Sequence, residues 1–114
     1  MFLYEQHCKA KSPPALLTQE QSIKLLKEIP LWQRDHSGKN ISRTYKFQNY
    51  QQTLFFINAV AEIAQTENHH PEITFGYNHC KIQFITHSAN GITLFDMICA
   101  AQADHLLFKQ EFKT

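Results

Sequence analysis

Residues 67–77 read ENHHPEITFGY, and two adjacent imidazoles, His69 and His70, stand directly before Pro71. Histidine changes charge near neutral pH, so a pair of them suits proton transfer in either direction. The residue before a proline is pushed out of the helical region, so a helix entering this stretch must end at about Asn68 or His69. A helix C-terminus also favours the imidazolium form. A third histidine, His87, lies in ITHS. Along Cys80 to His87 the even positions are apolar, while Lys81, Gln83 and His87 share the opposite side with Ile85, which places His87 on the polar face of a sheet at a strand end. If the HHP turn folds over that face, three imidazoles converge.

Two other readings compete. Seven histidines in 114 residues is a high count, and most surface histidines are simply solvated. A zinc site from His69, His70, Cys80 and His87 is the second, although structural zinc sites usually carry a compact pair such as CxxC or HxxxH and none is present. His36 and His79 read as turn residues, His105 belongs to the last helix, and His7-Cys8 reads as incidental.

These residues need elements to hold them. Residues 1–17 read as an N-terminal arm, because Ser12-Pro13-Pro14 interrupts any helix. Residues 18–114 then form a single domain. Thr18 and Gln21 match a capping box, followed by Ile23, Leu25, Leu26 and Ile29 at near-helical spacing up to Pro30. Leu31 to Arg34 and Ile41 to Phe47 read as strands of a hairpin around DHSGKN. From about Gln51, Leu54, Phe55, Ile57, Ala61 and Ala64 mark the stripe of a long helix, widened by Phe56, Val60 and Ile63. Ile73, Phe75 and Tyr77 alternate, as do Ile82, Phe84 and Thr86, with Asn78-His79 as the turn of a second hairpin. Thr93 and Asp96 form another capping box, opening a helix that carries Leu94, Met97, Ile98, Ala101 and Phe108. The order αββαββα predicts an α+β fold, a four-stranded antiparallel sheet with helices packed on one face.

Eleven basic and ten acidic residues give a formal charge of +1, which offers no electrostatic footprint for nucleic acid. Three cysteines, Cys8, Cys80 and Cys99, fit a reducing cytoplasmic compartment better than a disulfide framework, and Cys80 and Cys99 read as small buried hydrophobes. The start MFLYEQHCKAKSPP has no long apolar run, and no stretch approaches the roughly 18 apolar residues of a membrane span.

HHP, Tyr77, His87 in ITHS and Asp96, at their mutual spacing, resemble the signature of the pterin-4a-carbinolamine dehydratases. The likeness runs from about Trp32 through KFQNYQQTLFFINAVAEIAQTENHHP to the last helix, and the segment QHCKAKSPPALLTQEQSIKLLKEIPLW resembles the bacterial branch that accompanies phenylalanine hydroxylase. That branch often reads HCxxC where this chain has Lys11 at the second cysteine. The resemblance implies a hydro-lyase that eliminates water from 4a-hydroxytetrahydrobiopterin to give the quinonoid dihydropterin, with no cofactor or metal. It implies His70 as principal base, His69 and His87 as residues that bind substrate and supply the acid, and Asn68, Thr86, Ser88 and Pro71 as substrate contacts. It further implies a homodimer or homotetramer and coupling to phenylalanine hydroxylase, while the near-neutral charge and the lack of an apolar span argue against nucleic acid or membrane as partner. Animal relatives also act as dimerisation cofactors of a homeodomain transcription factor, and pterin repair for molybdopterin metabolism is a further role. One position departs from the pattern: Gln65 stands where the family generally carries a charged residue, most often Glu.

Overall fold

Alternation along two strands builds the centre of the molecule. The computed structural model describes residues 1–9 and 14–109, so Lys11 and the Ser12-Pro13 start of the proline break lie outside the described residues. Strand β2 (Ile41–Lys46) buries Ile41 and Tyr45, and β4 (His79–Phe84) buries Cys80, Ile82 and Phe84. They pair antiparallel with Ile41 opposite Phe84 and Tyr45 opposite Cys80, so all five side chains fall on one face. Strands β1 (Gln33–Arg34) and β3 (Glu72–Phe75) add the edges, giving the order β1-β2-β4-β3.

Three helices cover the buried face: α1 (Gln19–Leu26), α2 (Tyr50–Glu67) and α3 (Leu94–His105). Both capping boxes form, Thr18 with Gln21 and Thr93 with Asp96, and each satisfies backbone N–H groups at a helix start. Phe56 and Val60 of α2 and Met97, Ile98 and Cys99 of α3 join the sheet residues, Trp32 and Ile29 in one core. The α+β architecture and the order αββαββα are those predicted, with short 3₁₀ turns added at Leu3–Glu5, His87–Ala89 and Leu106–Phe108. Among the described residues no helix is long and apolar enough to cross a membrane.

Several local expectations are corrected. The stripe that α2 buries is Thr53, Phe56, Val60, Ala64 and Glu67, whereas Phe55 is 51% exposed and Ala61 is exposed. Two overlapping apolar stripes on one helix leave its rotation open, and contact with β4 and α3 fixes it. Tyr77 and Asn78 form the second turn, and His79 already belongs to β4, opposite Lys46. Phe108 lies past α3 in a 3₁₀ turn and is exposed. The arm packs down: Leu3 is buried among core residues, and its N–H donates to Glu28 Oε1 at 3.0 Å.

Candidate active site

The exit of α2 aims the histidine pair. Asn68 takes a left-handed conformation (φ 52°), the N–H of His69 returns to the Ala64 carbonyl at 3.0 Å, and that of Asn68 to Gln65 at 3.3 Å. This is the Schellman arrangement, and asparagine tolerates the left-handed region better than most residues. It turns the chain sharply enough that the two neighbouring imidazoles reach different partners.

His69 points toward the helical layer. Its ring stacks on Phe84 at 5.8 Å between centroids and meets Phe95 edge-on at 6.0 Å. Its Nε2–H donates to Asp96 Oδ1 at 2.6 Å, with the His69 side chain 11% exposed and that of Asp96 fully buried. The other oxygen of Asp96 accepts the Thr86 hydroxyl at 2.8 Å and the Thr93 N–H at 2.9 Å. Since Thr86 spends its only proton on Asp96, the 2.8 Å contact between the two threonine hydroxyls has Thr93 as donor. Thr93 Oγ1 in turn accepts the Phe95 N–H at 3.2 Å. Every group in this chain has a defined direction, and it ends by fixing the proton of His69 on Nε2, which leaves Nδ1 as an acceptor.

His70 is exposed, and its Nε2 meets Gln65 Oε1 at 2.8 Å. The amide oxygen only accepts, so His70 donates there from Nε2 and keeps the Nδ1 lone pair. Gln65 therefore holds the ring without supplying charge.

His87 arrives by a different route from the one expected. Strand β4 ends at Phe84, and His87 opens the 3₁₀ turn His87–Ala89, closed by left-handed Asn90 (φ 56°) and by backbone pairing of Thr86 with Gly91. The three histidines thus converge on one cavity at the end of β4, not over the polar face of the sheet. The reason is His69, whose ring is seated on Phe84, a core-facing residue. The cavity has a volume of about 410 Å³, within the range of small-molecule sites. Its walls include His69, His70 and His87 together with Asn68, Thr86, Ser88 and Cys8.

Two sequence-predicted contacts have other duties. The Thr86 hydroxyl is engaged with Asp96 and Thr93, and its N–H and carbonyl with Gly91, so it positions Asp96 as well as lining the cavity. Pro71 is not among the residues of the cavity wall, and it keeps His70 out of the helical region. Cys80 lies in the core on β4, apart from the histidines, so the alternative zinc donor set does not assemble; burial pushes its thiol up to about 11.

Sequence reasoning missed three participants. Asp96 was legible as a cap and a motif position, but its second role, holding His69, depends on a contact 27 residues away in sequence. Glu67 carries no sequence signal for its role. It is buried and accepts the Cys8 N–H at 2.7 Å, His7 Nδ1 at 2.7 Å and Gln102 Nε2 at 3.0 Å. Burial opposes its charge, and these three donors outweigh that and hold its carboxyl below its usual value. The arm, read as incidental, is thereby tied to the residue just before Asn68.

Comparisons with known proteins bear on what this cavity does. The family model described as pterin 4 alpha carbinolamine dehydratase matches residues 15–106. A protein of Nitrosospira multiformis is 42% identical over 87% of this chain and 84% of its own length, and one of Legionella pneumophila is 41% identical over 92% and 95%; the names of both assign them provisionally as pterin-4-alpha-carbinolamine dehydratases. A crystal structure from Brucella melitensis, titled a transcriptional coactivator/pterin dehydratase, superposes with a TM-score of 0.77 at 28% identity, covering 80% of this chain and 97% of that one. A pterin dehydratase-like protein, titled a RuBisCO assembly factor of the alpha-carboxysome, shares the fold with a TM-score of 0.60 at 22% identity, covering 69% and 92%.

Proposed function

The chain belongs to the pterin 4 alpha carbinolamine dehydratase family, and from that premise we propose that it eliminates water from a 4a-hydroxytetrahydropterin by histidine acid/base catalysis. The observation that carries the reading is the convergence of His69, His70 and His87 on one cavity, with a buried carboxylate behind the first.

Elimination requires one proton delivered to the hydroxyl on C4a, one removed from N5, and a C4a–N5 double bond formed as the C4a–O bond breaks and water leaves. Positioned acids and bases contribute about 10²- to 10⁴-fold to such steps. His70 takes the N5 proton on its free Nδ1 while Gln65 steadies the ring. His69 binds substrate through Nδ1, and any positive charge it gains is stabilised by Asp96 at 2.6 Å. His87, exposed on the cavity wall, supplies the proton to the departing hydroxyl. Asn68 and Ser88 supply polar contacts to the pterin ring. No metal or cofactor enters the scheme. The same reading sets the protein in a reducing cytoplasm, as a homodimer or homotetramer, recycling the pterin of an aromatic amino acid hydroxylase such as phenylalanine hydroxylase.

A stable 7,8-dihydropterin, the rearranged product, tests the site. On titration, the imidazole NMR signals of His69, His70 and His87 are expected to shift together while those of His36 and His79 stay. Absence of binding by folded protein, or shifts confined to histidines outside the cavity, would refute the assignment.

A further inference from the structure

The acid/base scheme leaves one pair of reactive groups unused, one at the cavity wall and one buried behind it. Cys8 of the arm lines the cavity, and its Sγ lies 3.8 Å from Sγ of Cys99, which is fully buried on α3 three residues after Asp96. Cys8 is half-buried, and its backbone N–H is held by Glu67, two residues before His69. The two thiols therefore touch each other; Cys99 sits on α3, whose Asp96 holds His69, and Cys8 on the arm, which is tied to Glu67 two residues before His69.

We propose that Cys8 and Cys99 form an oxidation site that takes a hydroperoxide and closes to an intramolecular disulfide, slowing the enzyme. The Cys8 sulfur attacks the peroxide, the O–O bond breaks, and Cys8 becomes a sulfenic acid with release of water or an alcohol. The Cys99 sulfur then attacks the Cys8 sulfur, the S–O bond breaks, and a second water leaves. Two thiols are oxidised and one peroxide is reduced, and a thiol reductant reverses the bond. Accessibility sets this order: Cys8 faces the cavity, whereas Cys99 is held as the neutral thiol by its hydrogen bond with Cys8 and by burial. A disulfide needs about 2.05 Å between sulfurs, so closure draws Cys8 and Cys99 together and disturbs the arm's grip on Glu67.

The test treats the full-length protein with a small excess of hydrogen peroxide and reads intact mass, peptide linkage and dihydropterin binding before and after reduction. The expected result is a loss of two hydrogens within one chain, mapped to Cys8–Cys99, with binding several-fold weaker and restored by reductant. Cys8→Ser and Cys99→Ser abolish the mass change, and Cys80→Ser keeps it. Persistence of both thiols, oxidation of Cys8 alone to a sulfinic acid, a bond between chains, or a disulfide that leaves binding unchanged would overturn the proposal. Mass and linkage are independent of dehydratase activity, so failure here is distinguishable from failure of the proposed function.

Discussion

Asp96→Asn separates the electrostatic duty of this carboxylate from its structural one. The side chain receives three hydrogen bonds, two at Oδ2 from Thr86 and the Thr93 N–H and one at Oδ1 from His69. An amide has one acceptor oxygen and must choose. With oxygen toward the threonines it keeps two bonds and presents NH₂ to His69; flipped, it keeps the His69 bond and sets NH₂ against the Thr93 N–H. At about 1 kcal/mol per bond the first orientation wins, by roughly the one bond it keeps in excess. His69 Nε2 must then accept, its proton moves to Nδ1, and the cavity meets a donor where it had an acceptor. The fold should lose only about 1–2 kcal/mol, from charge-assisted bonds that become neutral ones and the lost charge at a helix start. The rate should also fall, by about 10- to 10²-fold, since a donor at Nδ1 leaves the substrate donor that His69 binds unpaired, at a cost of about 1–3 kcal/mol. The assay follows dehydration of a 4a-carbinolamine generated in situ by phenylalanine hydroxylase, beside a denaturant titration. A rate within a few-fold of the parent, in a folded variant, refutes the role given to Asp96.

Gln65→Glu adds a charge opposite His70 Nε2 on an exposed helix end, where such pairs are worth up to about 1 kcal/mol; the dehydration rate should match or modestly exceed the parent, and a large loss contradicts the reading of Gln65 as a neutral support. Thr86→Val removes the hydroxyl that joins Thr93 to Asp96 inside the core, so unfolding free energy should drop by about 1–3 kcal/mol with the rate falling alongside, whereas Thr86→Ser should retain both. Glu67 has its folded-state pKa below its unfolded value, so its stabilisation is present above the unfolded value and lost as pH falls through the folded one. Acid unfolding curves of Glu67→Gln should accordingly be flatter through the carboxylate range than those of the parent; identical curves contradict the account of Glu67.

What the sequence disclosed was local or periodic. Both capping boxes, the helix stop at Asn68 and the alternation of β2 and β4 rest on interactions within a few residues, and all of them appear in the fold. The histidine cluster was legible from HHP and ITHS, but its place was not. Strand periodicity carried His87 onward along the polar face, while Thr86 breaks that period by pairing with Gly91 and starting a 3₁₀ turn. The buried stripe of α2 is not legible in the sequence because Phe55 and Phe56 are equal as apolar residues and only packing tells them apart. Asp96 on His69, and the arm on Glu67, join residues 27 and about 60 positions apart, beyond the reach of spacing arguments.

The central claim is that the histidine cavity dehydrates a pterin carbinolamine, and the most direct measurement is the rate of that reaction with parent protein, His70→Ala and no protein. The account predicts clear acceleration by the parent and a loss of about 10²-fold or more in the variant with its fold intact. No acceleration by folded parent protein, or full activity in His70→Ala, would contradict it.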